Sequence, residues 1–117
     1  MKELKNCVKP DDKAVSASLG ALAHPARIAI LRHLSCHGSC CCKDVVAQLD
    51  LAQSTVSQHL KILVDAGLVK FASEKQRSRY SINESAMQAL AGSIARLAES
   101  CCGNRLETPV RAHELQG

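Results

Sequence analysis

Seven cysteines in 117 residues are the first chemistry this chain offers, and they fall in groups. Cys101 and Cys102 are adjacent, Cys40, Cys41 and Cys42 run together just after Cys36 and His37, and Cys7 stands apart near the start. Vicinal thiolates chelate soft, thiophilic centres, trivalent arsenic above all. Arsenic in that state takes a pyramid of three ligands, so arsenite needs a third sulfur, whereas a monomethylated trivalent arsenical is satisfied by the pair. A lone cysteine is usually a small buried hydrophobe, but Cys101 next to Cys102 is better read as a ligand. The cluster from Cys36 to Cys42 is poorly explained as incidental, because exposed free thiols are oxidation hazards. An odd cysteine count cannot pair off internally, and in the reducing cytoplasm, where the chain is expected, structural disulfides are not.

The second chemistry is hydrogen bonding to base edges. Residues 51–69 read LAQSTVSQHLKILVDAGLV. At about 100° per residue, Val56, Leu60, Leu63 and Gly67 stack on one side of a helix. Ser54, Ser57, Gln58, Lys61 and Asp65 fall on the other. Short hydrogen-bonding groups plus a cation on an exposed face suit a DNA major groove. Thr55 and His59 lie on the flanks, and for His59 packing or a phosphate contact is expected before base reading.

Both sets of groups need a scaffold. Residues 43–49 have room for about two helical turns, and Asp50-Leu51-Ala52 forms the short joint of a helix-turn-helix. Gly67 ends the second helix, since glycine enters the left-handed conformation without penalty. Residues 68–73 and 77–83 alternate as strands around the polar Glu74-Lys75-Gln76, giving a hairpin whose tip carries Lys75, Arg77 and Arg79. A helix-turn-helix followed by a cationic hairpin is a winged helix whose wing grips phosphate. Upstream, residues 12–23 form a first helix with Val15, Leu19 and Leu22 on one stripe. Pro25 opens a second, to about Ser35. The last helix is expected to start near Ser85, with Gln88 completing a capping box. Along it Met87, Leu90, Ile94, Leu97 and Cys101 recur three and four apart, as in a two-helix seam.

QSTVSQHLKILVDAGLV closely resembles the recognition helix and its exit in the ArsR/SmtB family of bacterial metalloregulatory repressors. The resemblance extends upstream through LGALAHPARIAILRHL (residues 19–34) and downstream to RYSI, spanning roughly residues 15–102. It implies a mainly α winged helix-turn-helix with a β-hairpin wing, homodimeric through its first and last helices. The partner implied is double-stranded operator DNA, near-palindromic, with half-sites about one helical turn apart. Many members bind arsenic or cadmium through a Cys-X-Cys pair at the start of the helix before the recognition helix. Cys40 and Cys42 have that spacing. In those members, however, an aspartate directly follows the second cysteine, and counting back from Asp44 puts Lys43 there. Either the triplet has slid by one residue or Cys41 is the true counterpart. Cys7 resembles the arm cysteines that reach across the dimer in cadmium and lead sensors. Zinc and nickel members use His, Asp and Glu on the last helix, but residues 85–102 contain no His or Asp, and Glu84 and Glu99 alone build no such site.

Composition sets the bounds. A chain of this length supports one domain and buries about two-thirds of its unfolded surface. With no tryptophan, one tyrosine (Tyr80) and one phenylalanine (Phe71), aliphatic side chains must fill the core, which favours extra burial through self-association. A net charge of +4 suits a polyanion. Neither a membrane span nor a signal-peptide hydrophobic run is evident. Residues 1–11 read as an arm, 12–102 as the DNA-binding and dimerisation domain, and 103–117 as a tail.

The function expected is repression relieved by arsenite, methylarsenite, antimonite, cadmium or lead, with no organic cofactor and no small organic substrate. Ligand and DNA would weaken each other's binding by the same factor. A thiol redox or persulfide sensor on the same scaffold is the alternative. A thiol enzyme is poorly supported, with no Cys-X-X-Cys and no phosphate-cradling glycine loop, and a metal buffer would show no operator affinity.

Overall fold

A computed structural model describes residues 8–75 and 77–103; Cys7, the rest of the arm to residue 7, and His113 with the tail beyond Gly103 lie outside the described residues. The chain runs α1 (Pro10–Leu22), α2 (Pro25–His37), α3 (Cys42–Leu49), α4 (Gln53–Asp65), β1 (Val69–Glu74), β2 (Arg77–Ile82) and α5 (Glu84–Cys102). This is the expected winged helix-turn-helix. Proline places the first two helix starts, because its fixed φ suits the first helical position and its missing N–H goes unused there. Pro10 starts α1 two residues before the expected Asp12, so the first turn includes residues assigned to the arm. Asp12 then accepts a hydrogen bond from the Lys9 backbone N–H at 2.9 Å. Pro25 starts α2 under a cap from His24, whose Nδ1 accepts from the Ala26 N–H at 3.1 Å. α2 runs on through Cys36 and His37, which are helical rather than part of a loop.

Seven aliphatic side chains are fully buried: Ile30 and Leu34 of α2, Val45 of α3, Val56, Leu60 and Leu63 of α4, and Leu68. The stripe predicted along α4 is therefore the centre of the core. α4 stops in a Schellman turn. The Leu68 N–H donates to Leu63 O at 3.0 Å and the Gly67 N–H to Val64 O at 2.9 Å, with Gly67 at φ 83°.

β1 and β2 pair antiparallel from Val69–Ile82 to Glu74–Arg77. Lys75, at φ 54°, makes the turn at the tip. A third segment joins this sheet at one residue. Cys40 and Tyr80 exchange backbone hydrogen bonds of 2.9 and 2.8 Å.

The start of α5 differs from expectation. Its cap is Asn83, whose Oδ1 accepts from the Ala86 N–H at 3.2 Å. Ser85 lies inside the first turn and donates its hydroxyl to the same oxygen at 3.1 Å, so the Ser85–Gln88 box does not form. Asn83 also donates from Nδ2 to Gly67 O at 2.8 Å and from its backbone N–H to Leu68 O at 3.0 Å. One side chain thus pins the exit of α4 to the entry of α5. Farther along, α5 buries Leu90 against the core, while Ile94, Leu97 and the cysteines at its end are exposed. α1 packs against α2, α4 and α5. No single described helix is long and apolar enough to cross a membrane.

Candidate nucleic-acid interface

α4 turns Ser54, Thr55, Ser57, Gln58 and Lys61 outward, all exposed. They sit opposite Val56, Leu60 and Leu63, so the packing of one face presents the other. Lys61 pairs with Asp65 at 3.1 Å. Such an exposed helical pair contributes only about 0.3–0.5 kcal/mol, so a phosphate can take the ammonium at little cost. His59, grouped with the DNA contacts from sequence, is placed differently. It is 8% exposed, its ring lies 4.5 Å from that of His24, and its Nδ1 accepts from Arg27 Nε at 3.2 Å. As folded, it is mostly packed, with its Nδ1 committed to Arg27. Its position three residues after Val56 and four before Leu63 is the sequence signal for burial.

The wing divides its cations. Lys75 and Arg77 are exposed at the tip, beside an open groove of about 540 Å3 that Glu74 and Arg79 also line. Arg79 is two rungs back, opposite Ala72. Its guanidinium is committed to Ser39, donating to Oγ at 2.8 Å and to the carbonyl oxygen at 2.9 Å. Arg79 therefore ties the wing to the α2–α3 connection, which corrects its expected place at the tip.

The same connection carries the first thiol group. Cys40 is 3% exposed because its bridge to Tyr80 draws it into the core. Cys42 is half-buried in the first turn of α3, packed against the core. Burial pushes both thiols up, with Asp44 adding to the effect on Cys40 and Cys41 to that on Cys42. The Cys40–Cys42 pair is thus not open for chelation as it stands. Cys41 lies at the head of α3. Asp44 accepts from its backbone N–H at 3.3 Å and from its Sγ at 3.4 Å. These two hydrogen bonds, the backbone one foremost, hold the Asp44 carboxyl below the usual carboxylate range. A recess of about 270 Å3 lined by Cys41, Cys42, Lys43, Gln53, Arg77 and Ser78 lies between this helix start and the wing.

Cys101 and Cys102 are both exposed, in the last turn of α5. Cys36 is exposed near the end of α2, where His33 and His37 stack at 4.2 Å. Among the described residues, no three His, Cys, Asp or Glu side chains converge as a metal-holding group. Two donors from adjacent exposed residues occur at Cys101–Cys102, both sulfur, and at Cys36–His37.

The sequence of residues 24–70 matches the family model described as bacterial regulatory protein, arsR family. The chain is 37% identical over 71 residues to an arsenical resistance operon repressor of Staphylococcus xylosus, covering 61% of this chain and 67% of that one. It is 33% identical over 82 residues to the arsenical resistance operon repressor of Bacillus subtilis, covering 70% and 73%. Among solved structures, the homodimeric winged helix-turn-helix DNA-binding domain from Mycobacterium bovis superposes with a TM-score of 0.61 at 26% identity, over 74% of this chain and 81% of that one. These relatives are transcriptional regulators, not enzymes. With the recognition face, the wing and the sequence match in agreement, the chain belongs to the ArsR family of bacterial DNA-binding transcriptional regulators.

Proposed function

We propose that this protein is a cytoplasmic, homodimeric repressor that leaves its operator when cysteine thiolates capture a trivalent arsenical, arsenite or methylarsenite. Antimonite, cadmium and lead are the other soft ions considered. The observation that carries this reading is the pair Cys101–Cys102, adjacent and exposed at the end of α5. Consecutive helical residues point about 100° apart, so the last turn must fray for the two sulfurs to meet on a monomethylated arsenical, and a third thiolate would complete an arsenite site. That arsenical resistance operon repressors are among its relatives supports an arsenical as the inducer. Cys40, Cys41 and Cys42 rank second, because their burial and hydrogen bonding must loosen first; Cys7 would join them from the arm of a second copy. Ser54, Thr55, Ser57, Gln58 and Lys61 meet the major groove, while Lys75 and Arg77 take phosphates. Ion capture at the end of α5 would reset the spacing of two recognition helices, and linkage then lowers DNA affinity.

The test is a release titration on labelled operator DNA with each ion, for the wild type, Cys101→Ser/Cys102→Ser and Cys40→Ser/Cys42→Ser. The first double variant should stay bound at ion concentrations that release at least half of the wild type, and the second should respond more nearly like it. Normal release of the first variant would sink the ranking. Release by an oxidant alone, with a disulfide found by mass spectrometry, would favour the thiol redox reading.

A further inference from the structure

Arg27 stands where three helices meet. From the first turn of α2, its Nε donates to His59 Nδ1 in α4 at 3.2 Å. Its Nη1 donates to the carbonyl oxygens of Gly20 and Ala21, in the last turn of α1, at 3.3 and 3.2 Å. A helix's last carbonyls lack intrahelical donors and carry the negative end of its dipole, so a guanidinium there is doubly favoured. His59 directly follows Gln58 and lies two residues from Ser57. It therefore shares a helical turn with residues of the outward face.

We propose that Arg27 and His59 are positioning residues that lock the DNA-reading helix to the end of α1, and that the lock opens in acid, so that DNA binding weakens as pH falls. This rests on α4 being the DNA-reading helix. His59 Nδ1 accepts from Arg27 only while it carries no proton. In the imidazolium form a donor faces a donor and a cation faces a cation. Among the described residues, the charged or titratable groups acting on the ring are His24 and Arg27, with no carboxylate. Burial first, then His24, then Arg27 hold its pKa below the ordinary 6.5. His24 serves as the cap of α2 through its own Nδ1, again as an acceptor. A folded-state pKa below the unfolded value means stabilisation present above about pH 6.5 and lost as pH falls through the folded value. Plain electrostatics gives the opposite sign for DNA binding, since every histidine that protonates adds positive charge and tightens the hold on phosphate.

The experiment measures anisotropy of a short labelled duplex, selected from random sequence by the wild type, between about pH 7.5 and 5.5 at fixed ionic strength. Circular dichroism checks the fold at each point. Wild-type affinity should fall about tenfold, within the usual range of coupling between sites. His59→Gln, whose side-chain oxygen accepts from Arg27 without titrating, should hold its affinity or gain in acid. Wild-type binding that tightens or stays level overturns the proposal without any variant, and so does an equal acid loss in His59→Gln. The lock is also readable with no DNA present, by titrating the His59 ring resonances. Arg27→Met should raise the midpoint, because it removes both a cation and a donor to the neutral ring; an unchanged midpoint overturns the lock. A raised midpoint combined with failure to select any duplex would uphold the lock and sink the DNA-reading role of α4 instead.

Discussion

The helices α2 to α4 with their hairpin, and the pair α1 and α5, are built to different standards of completeness. In the first region all seven of the fully buried large side chains are found, from Ile30 to Leu68. In the second, Ala21 and Leu90 are the buried residues, while Leu19, Ile94 and Leu97 are exposed, Leu97 to 56%. The DNA-facing region carries the fully buried core within one chain, with Ile28, Ile62 and Phe71 left at its surface. The outer pair keeps an apolar stripe that no described residue covers, as expected for helices that close against a second copy. Burial is thus concentrated behind the reading face.

The sharpest way to break this contrast is a pair of truncations. Leu63→Ala should cost about 3 kcal/mol of folding stability, the usual toll of an emptied core site. Leu97→Ala should cost no more than about 0.5 kcal/mol to the single chain while weakening self-association. Urea unfolding across a range of protein concentrations, with sedimentation, separates the two; equal and concentration-independent losses would abolish the distinction. A smaller effect probes the seam between the regions. Asn83→Ala removes the cap of α5 and the bond to Gly67, and should cost about 1–2 kcal/mol, read by the same unfolding curves. The smallest concerns the surface. Lys61→Ala should leave stability within about 0.5 kcal/mol and lower the salt slope of DNA binding by about one.

The better-buried region was also the legible one. Val56, Leu60 and Leu63 announce their helix by spacing alone, and Gly67 its end, because both signals are local. Pro25 likewise marked the start of α2. What escaped depends on distant partners. Cys40 looks like a ligand in sequence and is a core residue in the fold, since its burial comes from pairing with Tyr80, forty residues on. Arg79 reads as a wing cation but is spent on Ser39. Ser85 outcompetes Asn83 as a cap in the sequence, because the alternating pattern runs through Asn83 and hides it. Arg27 gives no local signal, as its three partners lie on two other helices. The exposed thiols at the end of α5 were legible as a pair, because adjacency is written in the sequence.

The shortage of aromatic rings has a practical consequence. Tyr80 is the single tyrosine and there is no tryptophan. Ultraviolet-excited emission therefore comes from one ring, half-buried at the Cys40 bridge and tilted against Phe71 at 5.4 Å. Any event that pries the cysteine-bearing turn from the sheet will change that light, and the native chain carries its own optical gauge of whether its inner thiols have been disturbed.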